Sequence, residues 1–269
     1  MIRDITIGQY YPGSSIIHRL DPRVKLLGTV LFVISVFLIG SIPAFIIVTA
    51  ALALVIMISG VPLRFMLKGL KSIFMIILLT FFFSLFLTPG DTLFGIGFLN
   101  ATVQGLKTGI YMVMRLSYLI IGSSLMTLTT TANQLTDGLE KGLGFLNRFH
   151  VPVHEVAMMM SIALRFIPIL LEEMDRIMKA QQARGADFES GHLIQRAKGL
   201  VPLLVPLFIA AIRRANDLAM AMEARCYHGG EGRTKMKPLH YEKNDYLAYL
   251  LVFIYMAAII ILKVVKVVA

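Results

Sequence analysis

Ala163-Leu-Arg-Phe-Ile-Pro168-Ile-Leu-Leu-Glu-Glu173-Met-Asp-Arg-Ile-Met-Lys-Ala-Gln-Gln-Ala183-Arg184-Gly185 and Pro202-Leu-Leu-Val-Pro206-Leu-Phe-Ile-Ala-Ala-Ile-Arg-Arg214-Ala-Asn-Asp-Leu-Ala-Met-Ala-Met-Glu-Ala224-Arg225-Cys226 are one pattern written twice. Each copy runs from an apolar, proline-bearing half into a charged amphipathic half, and each ends on Ala-Arg. The two arginines lie 41 positions apart (225 minus 184). Pro152 suits the first turn of a helix that can continue to Arg184. Such a helix measures roughly 48 Å at about 1.5 Å per residue, longer than the ~30 Å hydrocarbon core of a bilayer. Glu172, Glu173, Asp175, Arg176 and Lys179 keep its second half out of lipid, and Arg213, Arg214 and Asp217 do the same for the second copy. The pattern therefore predicts two long helices that cross, bury apolar halves, and present arginine ends to partner proteins.

Outward from this pair the chain is strongly apolar. Hydrophobic residues make up 57% of 269 and charged ones 16%, with a mean hydropathy of +0.76. Soluble domains hold roughly 45–50% apolar and about 25% charged residues, so the composition is that of a polytopic membrane protein. The net charge of +10 fits loops that keep lysine and arginine on the cytoplasmic side and face anionic lipid, rather than a nucleic-acid surface. The first twenty-three residues are polar or mixed, with no signal-peptide pattern, so the first span is expected to remain in the mature protein. The single Cys226 excludes an intrachain disulfide and a cysteine-based metal cluster.

The expected fold class is an all-α polytopic membrane protein with about five transmembrane helices plus a cytoplasmic or interfacial pair of long crossed coupling helices. A leader occupies 1–23 and a four-helix membrane region 24–131, with spans at about 24–40, 42–59, 69–88 and 108–130. The coupling region follows at 132–229, then a loop at 230–243 and a last membrane helix at 244–269, apolar over about 245–262. Residues 92–104 are apolar but short and broken by Gly95 and Gly97, which reads as a surface or re-entrant segment. Thr131-Ala-Asn-Gln134 has capping-box spacing, which predicts a short helix carrying Leu135, Leu139, Leu143 and Leu146 on one stripe. Basic residues at Arg3, Arg19, Arg23 and Lys25, at Arg64, Lys68 and Lys71, and at Lys141 and Arg148 place the N-terminus and the 131–243 region in the cytoplasm. Lys263 and Lys266 run against an outside C-terminus.

Catalytic motifs do not fit. His154-Glu155 has Met158 where a zinc-protease helix needs its second histidine, and no phosphate-binding G-x-x-x-x-G-K-[ST] occurs. Gly142-Leu-Gly144 lacks the third glycine of a dinucleotide fingerprint and a strand before it. Neither cofactor nor metal is expected. For the arginine ends, the plain reading is a cation at the negative end of a helix dipole with Gly185 just past the cap. Cap chemistry alone does not require the same Ala-Arg pair twice with the same gradient before it. The Cys226 that replaces the glycine weakens a pure cap account of the second copy. Arginine grips a carboxylate through two parallel bonds, so two ends imply two acidic sockets.

His18-Arg-Leu-Asp-Pro-Arg-Val-Lys25, Thr129-Thr-Thr131 with the helix after it, Ala163-Leu-Arg-Phe-Ile-Pro168 and the Ala-Arg-Gly end together resemble the transmembrane T component of energy-coupling factor (ECF) vitamin transporters, a component shared with the related cobalt and nickel permeases. The resemblance runs in order along nearly the whole chain. It implies a non-catalytic scaffold in the cell membrane that carries a substrate-binding S component and a pair of cytoplasmic P-loop ATPases. It further implies that the ends dock in grooves of the ATPases, carried here by Ala183, Arg184, Gly185, Ala224 and Arg225. The asymmetry between Gly185 and Cys226 points to a heterodimeric ATPase pair. Met158, Met159, Met160, Leu170, Met220 and Met222 are the expected S-component surface, since unbranched thioethers repack against different partners. Arg115, inside the fourth span, is read as snorkelling or pairing with a backbone carbonyl, with Tyr111, Ser117 and Tyr118 near enough to solvate it. A stand-alone permease with its own midplane site is the competing reading, and it calls for polar groups deep in several spans.

Overall fold

The computed structural model describes residues 10–40, 42–96, 99–186, 193–229, 236 and 238–268. They form two compact units, one of residues up to Lys141 together with Leu239 onward, the other of Gly142–Pro238. In the first, a short helix α1 (Ile16–Arg19) precedes α2 (Pro22–Leu38), α3 (Ile42–Ser59) and α4 (Leu63–Leu87). A hairpin of β1 (Thr92–Ile96) and β2 (Leu99–Thr102) leads into α5 (Val103–Thr129), α6 (Ala132–Gly142) and, after the second unit, α9 (Lys243–Val268). The second unit contains a 3-10 turn at Gly144–Phe149, then α7 (Val153–Ala183) and α8 (Leu193–Glu223).

Local chemistry sets several of these boundaries. Asp21 accepts a 2.9 Å bond from the Arg23 amide and Pro22 fills the first helical position, so α2 starts where the sequence predicts. The capping box before α6 is made in full: the Thr131 amide donates to Gln134 Oε1 at 3.1 Å, and the Gln134 amide donates to Thr131 Oγ1 at 3.3 Å. The leucine stripe after it is shorter than expected. α6 stops at Gly142, and Leu143 and Leu146 fall in and beside the 3-10 turn, with Leu143 exposed.

The segment between α4 and α5 is a hairpin in which Thr92 pairs with Thr102 and Ile96 with Leu99, and α5 begins at Val103. Residues 97 and 98 lie outside the described residues. The Asp91 amide donates to Gln104 Oε1, Gln104 Nε2 donates to Asp91 Oδ2, and Thr102 Oγ1 donates to the Thr88 carbonyl, all at 2.8 Å. Gly105 lets α5 approach α4, since a Cβ there would stand 2.6 Å from the carbonyls of Ser84 and Leu85.

Two buried clusters hold the first unit. Val36, Ile39, Ala44, Phe45, Val48, Leu52, Tyr118 and Ile259 join α2, α3, α5 and α9. Val61, Met66, Leu125 and Leu128 join the start of α4 to the end of α5. Hydroxyls inside the spans are paired, Ser35 with Tyr255 at 2.6 Å and Thr49 with Tyr118 at 2.5 Å, as a low-dielectric surround requires. Arg115 donates from Nη2 to the Ile39 carbonyl at 3.0 Å, placing its cation on the carbonyl end of α2. Of the three neighbours expected to solvate it, Tyr111 stacks on Phe45 and Tyr118 is bonded to Thr49.

A polar junction lies where α2 begins, α5 ends and α9 begins. Lys25, only 8% exposed, donates to the carbonyls of His18 and Thr129 at 3.0 Å each. Asp245, 2% exposed, accepts from the amides of Asp21 and Glu242 at 2.8 Å each. Asp21 and Asp245 are the anions acting on Lys25. His18 closes the knot from the leader side, its ring bonded to Ser15 and to the Tyr11 carbonyl. Gly138 lets α6 sit against Pro22, where a Cβ would come to 2.9 Å.

Five helical stretches among the described residues are long and apolar enough to cross a bilayer: Ile42–Ser59, Val103–Thr129, Val153–Ala183, Gly199–Glu223 and Lys243–Val265. The bent pair Leu63–Lys71 and Ile73–Leu87 passes the same test as one span, which makes up to six. The seventeen residues of α2 give ~25 Å of helix, at the lower end of the ~17–25 residues that span a bilayer. In α4, Leu63–Lys71 and Ile73–Leu87 meet at 62°, dividing a basic segment from an apolar one. Val153–Ala183 and Gly199–Glu223, in α7 and α8, meet the length requirement as well. Outward side chains such as Met57 (81% exposed) and Met75 (73% exposed) are lipid-facing in such a protein.

Candidate functional site

The second unit turns the written repeat into geometry. Arg214 Nη2 stands 3.3 Å from Glu173 Oε2, joining α8 to α7 with both side chains partly exposed. These two residues are separated by 41 positions (214 minus 173), the spacing of the repeat itself, so the ion pair joins equivalent positions of the two copies. A crevice of about 250 Å³ adjoins it, lined from α7 by Ile162, Phe166 and Leu170 and from α8 by Ala211, Ala215, Leu218, Ala219 and Met222, among others. From the pair the lining runs backward along α7 and forward along α8, so the helices pass antiparallel there. Alanines on the α8 side are what allow so close an approach.

Each arginine lies eleven residues past the pair (184 minus 173, 225 minus 214). That is ~16 Å of helix, taken in opposite directions. Both ends close in the same way. The Ala186 amide donates to the Gln181 carbonyl at 3.0 Å and the Gly185 amide to the Gln182 carbonyl at 2.9 Å. The Tyr227 amide donates to the Met222 carbonyl at 3.1 Å and the Cys226 amide to the Glu223 carbonyl at 2.8 Å. This is a complete Schellman cap twice over, with Arg184 and Arg225 as the capping residues.

Cys226 corrects the sequence reading. It adopts φ +56°, the left-handed conformation that Gly185 adopts at φ +87°, so the backbone role of the missing glycine is kept. For a residue with a Cβ this conformation costs roughly 1–2 kcal/mol, and the cap bonds offset it. Both arginines are exposed, as are Ala183 and Ala224 beside them, so each guanidinium has its donors available to a partner. The plain cap explanation therefore applies to both copies equally. What it leaves over is the exposed arginine at the same place on each.

The expected methionine surface divides. Leu170 and Met222 line the crevice between the helices. Met159, Met160 and Met220 are exposed, at 59%, 41% and 61%, and Met158 is half-buried. Three consecutive residues spread around a helix, so Met158–Met160 do not share one face. A broader apolar surface that the sequence reading passed over lies on α8, where Leu200, Val201, Leu204, Val205, Phe208 and Ile212 are all exposed. Its signal was present as a run of large apolar residues around Pro202 and Pro206. The ion pair was legible only as a coincidence of the 41-residue spacing. Among the described residues, no cluster of His, Cys, Asp or Glu is arranged to hold a metal.

Comparison with known proteins gives a consistent result. The model of the cobalt transport protein family, CbiQ, matches residues 13–236. The chain is 51% identical over 249 residues to the energy-coupling factor transporter transmembrane protein EcfT of Thermosediminibacter oceani, covering 93% of this chain and 94% of that one. The protein of the same name in Clostridium kluyveri is 50% identical over 252 residues, with 93% of each chain covered. That of Bacillus subtilis strain 168 is 46% identical over 246 residues, 91% of this chain and 93% of its own.

Proposed function

We propose, from the premise that this chain belongs to the cobalt transport protein (CbiQ) family and is a transmembrane T protein of the energy-coupling factor type, that its two arginine ends are the docking points of a cytoplasmic ATPase pair. The observation that carries this reading is the duplication of one capped arginine, at equal distance from the pair that joins α7 to α8. A rigid helix of about 16 Å carries a displacement of its end back to that pair, whereas a flexible loop would dissipate it. ATP-driven closure of the ATPases changes the distance between the two ends. The two helices respond by pivoting about Glu173 and Arg214, and their apolar halves move with them.

The membrane-embedded S component rests on those apolar halves, on the Met158–Met160 and Met220 side chains and over Leu170 and Met222. The substrate is then a vitamin or similar micronutrient chosen by the S component, and this chain is a coupling subunit without catalysis of its own. It sits in the cell membrane with the leader and the arginine ends in the cytoplasm, as the distribution of lysine and arginine favours. The ATPase pair is a heterodimer. The two sockets meet the same backbone but different side chains, a bare glycine beside one arginine and a thiol beside the other.

Arg184→Glu and, separately, Arg225→Glu test the reading. Truncating a buried arginine anchor commonly costs about 2 kcal/mol or more, and reversal adds repulsion in an acidic socket. Each variant is expected to weaken ATPase co-purification at least ~30-fold and to abolish uptake, with membrane insertion unchanged. Normal co-purification and uptake in both would overturn it. Uptake that persists when the ATPases are deleted would establish the stand-alone permease instead.

A further inference from the structure

The first nine residues of α4 carry an unpartnered charge pattern that the coupling function does not use. Arg64, Lys68 and Lys71 are exposed, and none has an ion-pair or hydrogen-bond partner among the described residues. Their spacing of four and three places them on one stripe, within about 30° of its centre. The opposite face is held against α5. Met66 is 1% exposed in the cluster with Leu125 and Leu128, and a Cβ on Gly69 would stand 3.2 Å from Ser124 Oγ. The cations thus point away from the protein because packing fixes the back of the helix.

On either side of the stripe stand exposed apolar groups, Leu63 (58%), Phe65 (47%) and Leu67 (52%). The segment then bends by 62° into Ile73–Leu87, which carries no charged residue. A basic stripe bordered by apolar side chains, lying across the entry to a membrane segment, has the chemistry of an interfacial helix. Phosphates belong over the cations, and acyl chains beside the leucines and Phe65. A protein partner with acidic groups would satisfy the cations but not the apolar borders, and a soluble phosphate would leave those borders in water.

We infer that Arg64, Lys68 and Lys71 form a binding site for the phosphate headgroup of anionic phospholipid in the leaflet at this end of the first unit. The site rests on the membrane location of the chain and stands independently of the arginine ends. Each basic side chain near an anionic surface contributes roughly 1 kcal/mol, so each neutralisation reduces affinity about five-fold and the triple change about a hundredfold.

The test uses the full chain purified in a neutral detergent and titrated with phosphatidylglycerol or phosphatidylcholine, with retained lipid counted by native mass spectrometry. The expected result is retention of phosphatidylglycerol over phosphatidylcholine, weakened by salt, about five-fold weaker in Lys68→Gln and about a hundredfold weaker in the triple Arg64→Gln, Lys68→Gln, Lys71→Gln variant. Lys107→Gln, an exposed cation elsewhere on the unit, serves as the control and should match the unchanged chain. If the triple variant does not fold, the single variant and the salt dependence still decide. Equal retention of both lipids, or unchanged phosphatidylglycerol retention in the Lys68→Gln and triple variants, overturns the proposal. So does inorganic phosphate competing as well as the lipid, which would assign the stripe to a soluble anion. Loss of a co-purifying protein with lipid retention unchanged would assign it to a protein partner.

Discussion

The two units use charge in opposite ways. In the first, Lys25 and Asp245 are buried, and their bonds run to backbone groups of neighbouring segments. In the second, Arg184 and Arg225 stand exposed on finished helix caps, and Glu173 with Arg214 is only partly covered. The difference separates two kinds of motif that look alike in the sequence. The stretch from His18 to Lys25 is polar because several chain ends must be joined in a place with little water, where an unpaired group is costly. The Ala-Arg ends are polar because something outside this chain is to be held.

This contrast can be broken by experiment, most forcefully at Asp245. Asp245→Leu removes the acceptor of two amides and an anion beside a buried lysine. It is expected to destabilise the chain by about 3–5 kcal/mol, read as a lowered unfolding midpoint in detergent, whereas Arg184→Glu, a reversal at an exposed helix end, should shift stability by only about 1 kcal/mol. Equal effects would erase the distinction between junction and end.

A smaller effect probes whether the two ends are equivalent. Gly185→Ala puts a Cβ into the left-handed conformation and should cost about 1–2 kcal/mol, while Cys226→Gly relieves the same strain and should gain roughly 0.5–1 kcal/mol after the added freedom of the unfolded chain is counted. Unfolding midpoints of the two variants moving in the same direction would show that the caps differ.

The smallest concerns the pair joining the helices. Glu173→Gln should change stability by only about 0.2–1 kcal/mol, since an ion pair partly open to water contributes little. Its larger readout is coupling. Exchange of the charges in Glu173→Arg with Arg214→Glu should restore uptake lost in either single variant, and a double variant as inactive as the singles would remove the pair from the mechanism.

What the sequence revealed follows from distance along the chain. The start of α2 and the capping box before α6 depend on residues two or three apart, and both are made as read. The role of Asp245 depends on Asp21, 224 positions away, and no local pattern announces it. The hairpin has no local signal, because its apolar residues show neither strict alternation nor helical period. The leucine stripe is longer than its helix, because periodicity continues through Leu143 and Leu146 after the backbone has left the helix at Gly142. Cys226 departs from the preference of its residue type for a different reason. Residue type gives a preference for left-handed φ, and the surrounding cap bonds outweighed it.

Cys226 also has a practical consequence. It is the only sulfhydryl among the 269 residues, and it is exposed beside one arginine end. A fluorophore or spin label that reacts with thiols will attach at that one point without any engineering. Because that point lies in the proposed socket, the rate at which the thiol reacts reports whether this helix end is covered when ATPases are added.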